Sequence, residues 1–246
     1  MTSVTIEHFA VPSSSRAGRE LAWLRAWAAD ELAGRTVWCA AAPDGQGQAA
    51  AHELQDSLLQ AGDAAAADGL DVTAAEPLRA AAVRVEALLE GAAASGVDPA
   101  DQAAFLEGAL DCEELAGTRI GPDDVVVVHD ALSALLAQAV RARGAHVVWH
   151  EQPATAPPQA STRQARTLLR RCAGGFDAYL VTWQMGHVAA AMPSASHVEA
   201  KEVLPGPGAR GSRSLAWTVA LADVVATDRE EHVGGTLRSR PAVAAR

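Results

Sequence analysis

Four consecutive valines at positions 125–128 constrain the fold more than any other feature of this sequence. The run lies between Gly121-Pro122 and a stretch of helical period over residues 131–144. A short, continuous β-branched run of this kind is typical of a strand that is buried on both faces, as the strands of parallel sheets are. The sequence therefore predicts a central strand over residues 124–129 in an α/β protein.

Other short apolar runs alternate with Ala- and Leu-rich stretches of helical period, which is the pattern of βαβ units. The other predicted strands are residues 36–41, 69–73, 146–151, 178–183 and 198–205. The predicted helices are residues 16–33, 48–61, 77–94, 98–117, 131–144, 162–173, which Ser161 caps, and 214–226. We expect one Rossmann-like domain with a mostly parallel sheet flanked by helices over residues 1–210. A crossing helix and a tail are expected over residues 211–246.

The charge balance argues against several classes of function. The chain has 30 acidic and 20 basic side chains, a formal charge of −10, and Lys201 is its one lysine. Without a cluster of basic residues, the electrostatic attraction that drives binding to nucleic acids and anionic membranes is missing. Lys201 lies in Ala-Lys-Glu, so it cannot belong to a phosphate-binding P-loop. We expect a small-molecule ligand, with no nucleic acid and no membrane as partner.

The cysteines and the N-terminal residues predict a soluble cytoplasmic protein. Cys39, Cys112 and Cys172 are odd in number and widely spaced, which favours free thiols in a reducing compartment. No apolar run approaches the roughly 20 residues that span a bilayer. The first residues show no basic segment followed by an apolar one, as a secretory signal would.

Polar residues follow four of the predicted strands. In an open parallel sheet, ligands bind outside the carboxyl ends of the strands, so these residues predict a shared pocket. The candidate catalytic residues are His129, Asp130, His150 and Glu151, and the candidate substrate-binding residues are Asp44, Gly45, Gln46, Gly47, Trp183, Gln184 and His187. Polar residues are also common in solvated loops, so the alternative interpretation of each cluster taken alone is a solvated loop without a ligand.

A histidine beside a carboxylate is a natural acid–base pair, so we expect His129 to pair with Asp130 or Glu151, whose charge would shift its pKa. No metal site is expected. His146 and His150 share a strand face but lie about 13 Å apart at the usual strand rise. No other grouping has the cysteine and histidine spacing of a zinc site.

The turn after the first strand matches a relaxed dinucleotide-binding pattern, Gly45-x-Gly47-x-x-Ala50. A nicotinamide or methyl-donor enzyme therefore stays open as an interpretation. The alternative is a plain strand-to-helix turn. A short-chain dehydrogenase is disfavoured, because Tyr179 and Lys201 are too far apart in sequence to form its Tyr-x-x-x-Lys pair.

A set of short motifs resembles a known family over residues 20–210. They are Gly34-Arg35-Thr36-Val37-Trp38 before a glycine-containing turn, the strand ending in His129-Asp130, Val147-Val148-Trp149, Phe176-Asp177-Ala178 and Val203-Leu204-Pro205-Gly206. Together they resemble the amino-terminal half of nucleotide-sugar-dependent trehalose synthases, which are retaining family 4 glycosyltransferases of the GT-B fold. The resemblance implies a glycosyltransferase-like protein that acts on a sugar or a small polar or aromatic metabolite. It implies no resident cofactor, with a nucleotide-sugar as the candidate donor.

The chain departs from that family at several places. Gln46 replaces the middle glycine of the family's triple-glycine turn. The histidine and aspartate of the family's His-Ile-Asp are missing, although His150 and Glu151 could supply similar groups one turn of sequence earlier. The second domain, with its donor site, does not follow in this chain. The alternative is therefore a noncatalytic partner that stabilises a full-length glycosyltransferase. The apolar helix 214–226 should be covered: it folds back on its own domain, or it forms a homodimer, which we favour, or a contact with such a larger chain.

Overall fold

The computed structural model of the protein describes a large part of the chain. The described residues are 15–43, 45, 47–61, 66–92, 95–108, 120–151, 159–181, 199–200, 218, 221–222 and 225–226. Of residues 15–22, 24, 57, 60–61, 151, 178–181 and 199–200 only the backbone is described.

The described chain forms one parallel sheet with helices between its strands. The strands are β1 (Thr36–Ala41), β2 (Ala66–Asp71), β3 (Val125–Val128), β4 (His146–Glu151), β5 (Ala178–Val181) and β6 (Glu199–Ala200). The helices are α1 (Ser15–Leu32), α2 (Gly47–Ala61), α3 (Glu76–Leu89), α4 (residues 99–108), α5 (Ala137–Ala142) and α6 (Ala160–Ala173). The strand order is β2-β1-β3-β4-β5-β6, and every pairing is parallel. The predicted Rossmann-like α/β class is confirmed.

The valine run of β3 is fully buried and faces two separate apolar layers. Val126 and Val128 belong to a core that also contains residues of α3, α5 and α6. Val125 and Val127 belong to the opposite core, which contains residues of α1 and α2. Successive side chains of a strand point to opposite faces, so a strand packed on both sides needs apolar residues at every position.

Several predicted bounds were wrong. The helix predicted over 131–144 is a 3₁₀ turn, Ser133–Leu136, followed by the short α5. The predicted helix 77–94 ends at Leu89, close to Gly91 with its φ of 76°. The predicted strand 69–73 is β2, whose position follows from its residue-by-residue pairing with β1.

The cap of α6 was also assigned to the wrong residue. Gln159 is the N-cap and exchanges hydrogen bonds with Thr162 in a capping box, whereas Ser161 is buried within the first turn. The hydroxyl of Thr162 also donates to the carbonyl of Leu88 at 2.9 Å, which ties α6 to the end of α3. Two interactions therefore fix the start of this helix.

Buried polar groups at the amino edge of the sheet bind backbone. The Asp124 carboxylate accepts hydrogen bonds at 2.9 Å each from the Thr36 N–H, the Trp38 indole and the Gly121 N–H. Asp177 likewise accepts from the Val147 N–H at 2.7 Å. Aspartates that precede one strand thus bind the first residues of its neighbour.

The C-terminal helical residues pack on the protein's own core. Residues 218, 221–222 and 225–226 are helical, and Leu221, Ala222 and Val225 are fully buried in the layer that contains Ala28 and Leu32. Leu215, Trp217, Val219 and Val224 lie outside the described residues. The expected homodimer stays a prediction.

Among the described helices, none has the length and the apolar character that crossing a membrane requires. This statement covers only the ranges given above.

Candidate functional site

The chain changes direction across the sheet at the carboxyl ends of β1 and β3. The helix that follows β1, α2, packs on one face of the sheet, whereas the 3₁₀ turn and α5 that follow β3 pack on the other. The two connections therefore diverge, and ligands of open α/β sheets bind where this happens. Residues 129–133 lie at this point.

His129 and His150 are in direct contact there. Val128 is paired with Trp149, so the next residues, His129 and His150, lie side by side on adjacent strands. Their Nδ1 atoms are 2.9 Å apart, and the rings meet edge to face with centroids 4.9 Å apart. The two residues are only 2% and 3% exposed. The structure therefore brings together two of the candidate catalytic residues.

Burial keeps both imidazoles neutral near pH 7. It lowers the pKa of His150 to about 4. Burial, and secondly the neighbouring His150, lower the pKa of His129 well below its usual value. In a neutral pair one Nδ1–H donates and the other Nδ1 accepts. The Nε2 atom of His129 is buried and has no hydrogen-bond partner in the described part of the chain.

Asp130 does not form the expected pair with His129. Its carboxylate accepts the Ala42 N–H at 2.5 Å and the Ser133 N–H at 2.7 Å. Burial raises the pKa of Asp130, while these hydrogen bonds lower it. The prediction that a carboxylate shifts the His129 pKa is wrong for Asp130, because this side chain turns back to bind backbone and the effective partner is another histidine.

Ser133 organises the segment that carries His129 and Asp130. Its hydroxyl oxygen lies 3.2 Å from the backbone nitrogens of both residues and accepts from them, and its O–H donates to the Asp130 carbonyl at 3.1 Å. These bonds close the tight turn that replaces the first part of the predicted helix. Ser133 was not singled out in the sequence, since a serine in an apolar helical pattern gives no distinctive signal.

Glu86 is a second residue that sequence reasoning missed. Its Oε1 accepts the Ala131 N–H at 2.8 Å, which places a carboxyl group from α3 beside the same turn. The pKa of Glu86 is raised to about 7: burial raises it most, the hydrogen bond from Ala131 lowers it, and the charges of Asp130 and Glu90 raise it. The sequence signal that could have indicated Glu86 is its position: it lies four residues after Ala82, beside the apolar stripe of α3.

Both turn glycines are explained by close packing. A Cβ atom at Gly47 would lie 2.7 Å from the His129 carbonyl oxygen. One at Gly45 would lie 3.1 Å from the Ala42 Cβ and 3.4 Å from Asp130 Oδ2. The start of α2 thus rests directly on the end of β3, and this contact requires glycine whether or not a nucleotide binds.

No side-chain geometry is described for the remaining candidate residues. Glu151 ends β4, but only its backbone is described. Asp44, Gln46, Trp183, Gln184 and His187 lie outside the described residues. Among the side chains that are described, no three from histidine, cysteine, aspartate and glutamate are grouped so as to hold a metal ion.

Comparison with known proteins assigns no family to this chain. No family model matches it, and no curated protein matches it. A solved phosphoheptose isomerase from Francisella tularensis is similar at 13% identity, over 87% of this chain and 92% of that chain, with a TM-score of 0.30. A likeness of this size carries no argument about function.

The predicted membership of the trehalose synthase family is wrong. No family model matches this chain, the trehalose synthase family included. The predicted glycosyltransferase-like activity and the alternative role as a partner of a glycosyltransferase fail with it. The motifs misled because they mark strand ends and turns of any parallel sheet: Gly47 serves packing, and Asp130 binds backbone.

Proposed function

We propose that this protein is an enzyme that binds a small polar metabolite at the carboxyl edge of its sheet and transfers a proton with His129. The observation that carries the proposal is the His129–His150 pair, with its Nδ1–Nδ1 contact of 2.9 Å and the unpartnered, buried Nε2 of His129. Burying a polar nitrogen without a partner has a cost in free energy, and such groups in a ligand crevice are candidates for function.

The pair can supply either half of acid–base catalysis. When His150 Nδ1 accepts the proton of His129 Nδ1–H, the Nε2 atom of His129 carries a lone pair and acts as a base. When the shared proton belongs to His150, His129 carries its proton on Nε2 and donates a hydrogen bond to the ligand; it acts as an acid only in the cationic form that proton uptake produces. Proton uptake at Nε2 makes His129 cationic, and its Nδ1–H···Nδ1 bond to His150 becomes stronger because it is then charge-assisted.

We place this activity in the cytoplasm. Cys39 and Cys172 are buried free thiols in the described structure. Burial raises the pKa of both thiols, to about 12 for Cys39. Unpaired cysteines are typical of proteins that work in a reducing compartment.

A ligand screen with matched histidine variants tests the proposal. Thermal denaturation is measured for wild type, His129→Gln and the control His146→Gln with members of a library of polar metabolites. The affinity of each compound that raises Tm is then measured by calorimetry. His146 lies on β4 with His150 but at the opposite edge, and it is also buried. Compounds should bind wild type and His146→Gln, and His129→Gln should bind them about tenfold more weakly or not at all.

Turnover is then followed by NMR spectroscopy of each bound compound. A chemical change or solvent-deuterium exchange that wild type catalyses and His129→Gln does not would support proton transfer. The proposal is overturned if no compound in the library binds, or if the bound compounds are held and converted equally well by His129→Gln.

A further inference from the structure

Two carboxyl groups lie beside the turn that follows β3, and the structure gives them different surroundings. Glu86 comes from α3 and Asp130 from the turn itself. They are close enough for the charge of Asp130 to act on Glu86. Backbone donors occupy both oxygens of Asp130 but only one oxygen of Glu86.

Asp130 has both oxygens engaged with the protein. Oδ1 accepts from the Ser133 N–H, and Oδ2 accepts from the Ala42 N–H. The residue is only 3% exposed. Because each bond satisfies a backbone donor, a ligand could bind this carboxylate only by displacing part of the fold.

Glu86 keeps one oxygen available. Oε1 accepts from the Ala131 N–H, whereas Oε2 has no hydrogen-bond donor among the described residues. The side chain is neither fully buried nor exposed. The bond to Ala131 holds the carboxyl group in place next to the segment that carries His129.

The charges around the site disfavour an anionic ligand. The charges that act on Glu86 are the carboxylates of Asp130 and Glu90, and no arginine is among the described causes that shift the pKa of Glu86 or Asp130. The two histidines are neutral. Asp130 Oδ2 also lies beside the Gly45 turn, where a phosphate approaching the start of α2 would meet a negative charge.

We propose that Glu86, and not Asp130, is the carboxyl group of this site that binds the ligand, and that it accepts a hydrogen bond from a ligand hydroxyl or ammonium group. This inference rests on the proposed function of the His129–His150 pair. It assigns Asp130 to holding the turn. It also predicts the class of ligand: a neutral or cationic molecule with a hydrogen-bond donor. A molecule that offers only a phosphate or a carboxylate does not belong to this class.

Three isosteric variants test the assignment against the compounds that bind wild type. Glu86→Gln keeps an oxygen for Ala131 but can place an amino group where the ligand needs an acceptor. Glu90→Gln, at the C-cap of α3, is the control. Asp130→Asn should lower Tm, because an amide can satisfy only one of the two backbone donors. Calorimetry should show dissociation constants about tenfold higher in Glu86→Gln and within about twofold of wild type in Glu90→Gln.

The chemistry of the bound compounds gives a second readout. Serine, ribose and ethanolamine are each measured beside their phosphorylated forms, together with the compounds from the library. Preference for the unphosphorylated members supports the inference. Tighter binding of phosphorylated members, or unchanged affinity in Glu86→Gln, overturns it.

The outcomes also separate this inference from the proposed function. If His129→Gln abolishes binding and Glu86→Gln leaves it unchanged, the role of Glu86 is wrong and the histidine site stands. If no compound binds wild type, the proposed function fails first. If Asp130→Asn remains fully stable and loses binding while Glu86→Gln keeps it, the two carboxyl groups have been assigned in the wrong order.

Discussion

Buried polar groups are hydrogen-bonded differently at the two edges of the sheet. At the amino edge, the Asp124 carboxylate receives three hydrogen bonds, two from backbone and one from Trp38. At the carboxyl edge, the buried Nε2 atom of His129 has no partner among the described residues. Satisfied buried groups stabilise a fold, whereas unsatisfied ones destabilise it unless a ligand completes them. The comparison teaches that Asp124 is fully used by the fold, whereas the proposed binding group at the carboxyl edge is not.

Asp130 shows that position alone does not decide the role of a residue. It lies at the carboxyl edge, but it binds the Ala42 N–H after β1 much as Asp124 binds the Thr36 N–H at the start of β1. Its surroundings are therefore those of an amino-edge residue. Glu86, on a helix, has the surroundings expected of a ligand-binding group.

The largest expected effect is at the amino edge. Asp124→Ala leaves the donors of Thr36, Trp38 and Gly121 without their acceptor, and it should lower the free energy of unfolding by about 4 kcal/mol. Urea denaturation followed by circular dichroism measures the change. The control Asp123→Asn alters a side chain that is 74% exposed, at a φ of 66° that asparagine tolerates, and should cost less than about 0.5 kcal/mol. Equal losses in the two variants would contradict the contrast between the edges.

A smaller effect is expected where α2 meets β3. Gly47→Ala places a methyl group 2.7 Å from the His129 carbonyl oxygen and should lower the free energy of unfolding by about 2 kcal/mol. The control Gly69→Ala meets only Gln55 Oε1 at 3.6 Å, so its stability should stay equal or rise slightly. The same urea titrations apply. A stable Gly47→Ala would show that the contact is loose enough to admit a ligand.

The smallest effect is in the pH dependence of stability. The pKa of His150 is about 4 in the folded protein, below its ordinary value of 6.5, so the unfolded chain binds more protons between these values. The free energy of unfolding therefore falls as the pH drops below about 6.5. One histidine contributes up to about 1.4 kcal/mol per pH unit.

His150→Gln should make that fall shallower between pH 6.5 and pH 5. Glu86, whose pKa is raised to about 7, contributes with the opposite sign in both proteins, and its contribution cancels in the difference between them. His52→Gln changes an exposed side chain of α2 and should leave the wild-type slope. Identical slopes for wild type and His150→Gln would mean that His150 is not buried in its neutral form.

The sequence was most informative where local composition decides the structure. The predicted strands 36–41 and 146–151 coincide with β1 and β4, because each is a compact apolar run that begins one or two residues after a glycine of positive φ, Gly34 and Gly144. β2 has two alanines, a glycine and two aspartates, so its propensity for strand is weak, and its limits depend on pairing with β1.

The candidate site could be predicted only in part. The rule for parallel sheets correctly placed His129 and His150 on neighbouring strand ends, but it could not show which atoms meet. The partners of Asp130 and Glu86 depend on contacts between residues far apart in sequence, such as Ala42 with Asp130 and Glu86 with Ala131. Side-chain hydrogen bonds of that kind leave no periodic trace in the sequence.

The two aspartate bonds to β1 also have a consequence for how the chain folds. Each bond joins residues that are 88 positions apart, Thr36 with Asp124 and Ala42 with Asp130. The long chain segment between β1 and β3 is therefore closed at both ends of this strand pair. Closing a loop of this length costs about 4 kcal/mol in chain entropy. Interactions that require it form after more local ones such as those of β1, α2 and β2. Loss of either aspartate should therefore act mainly by speeding the unfolding rate and leave refolding nearly as fast as in the intact chain.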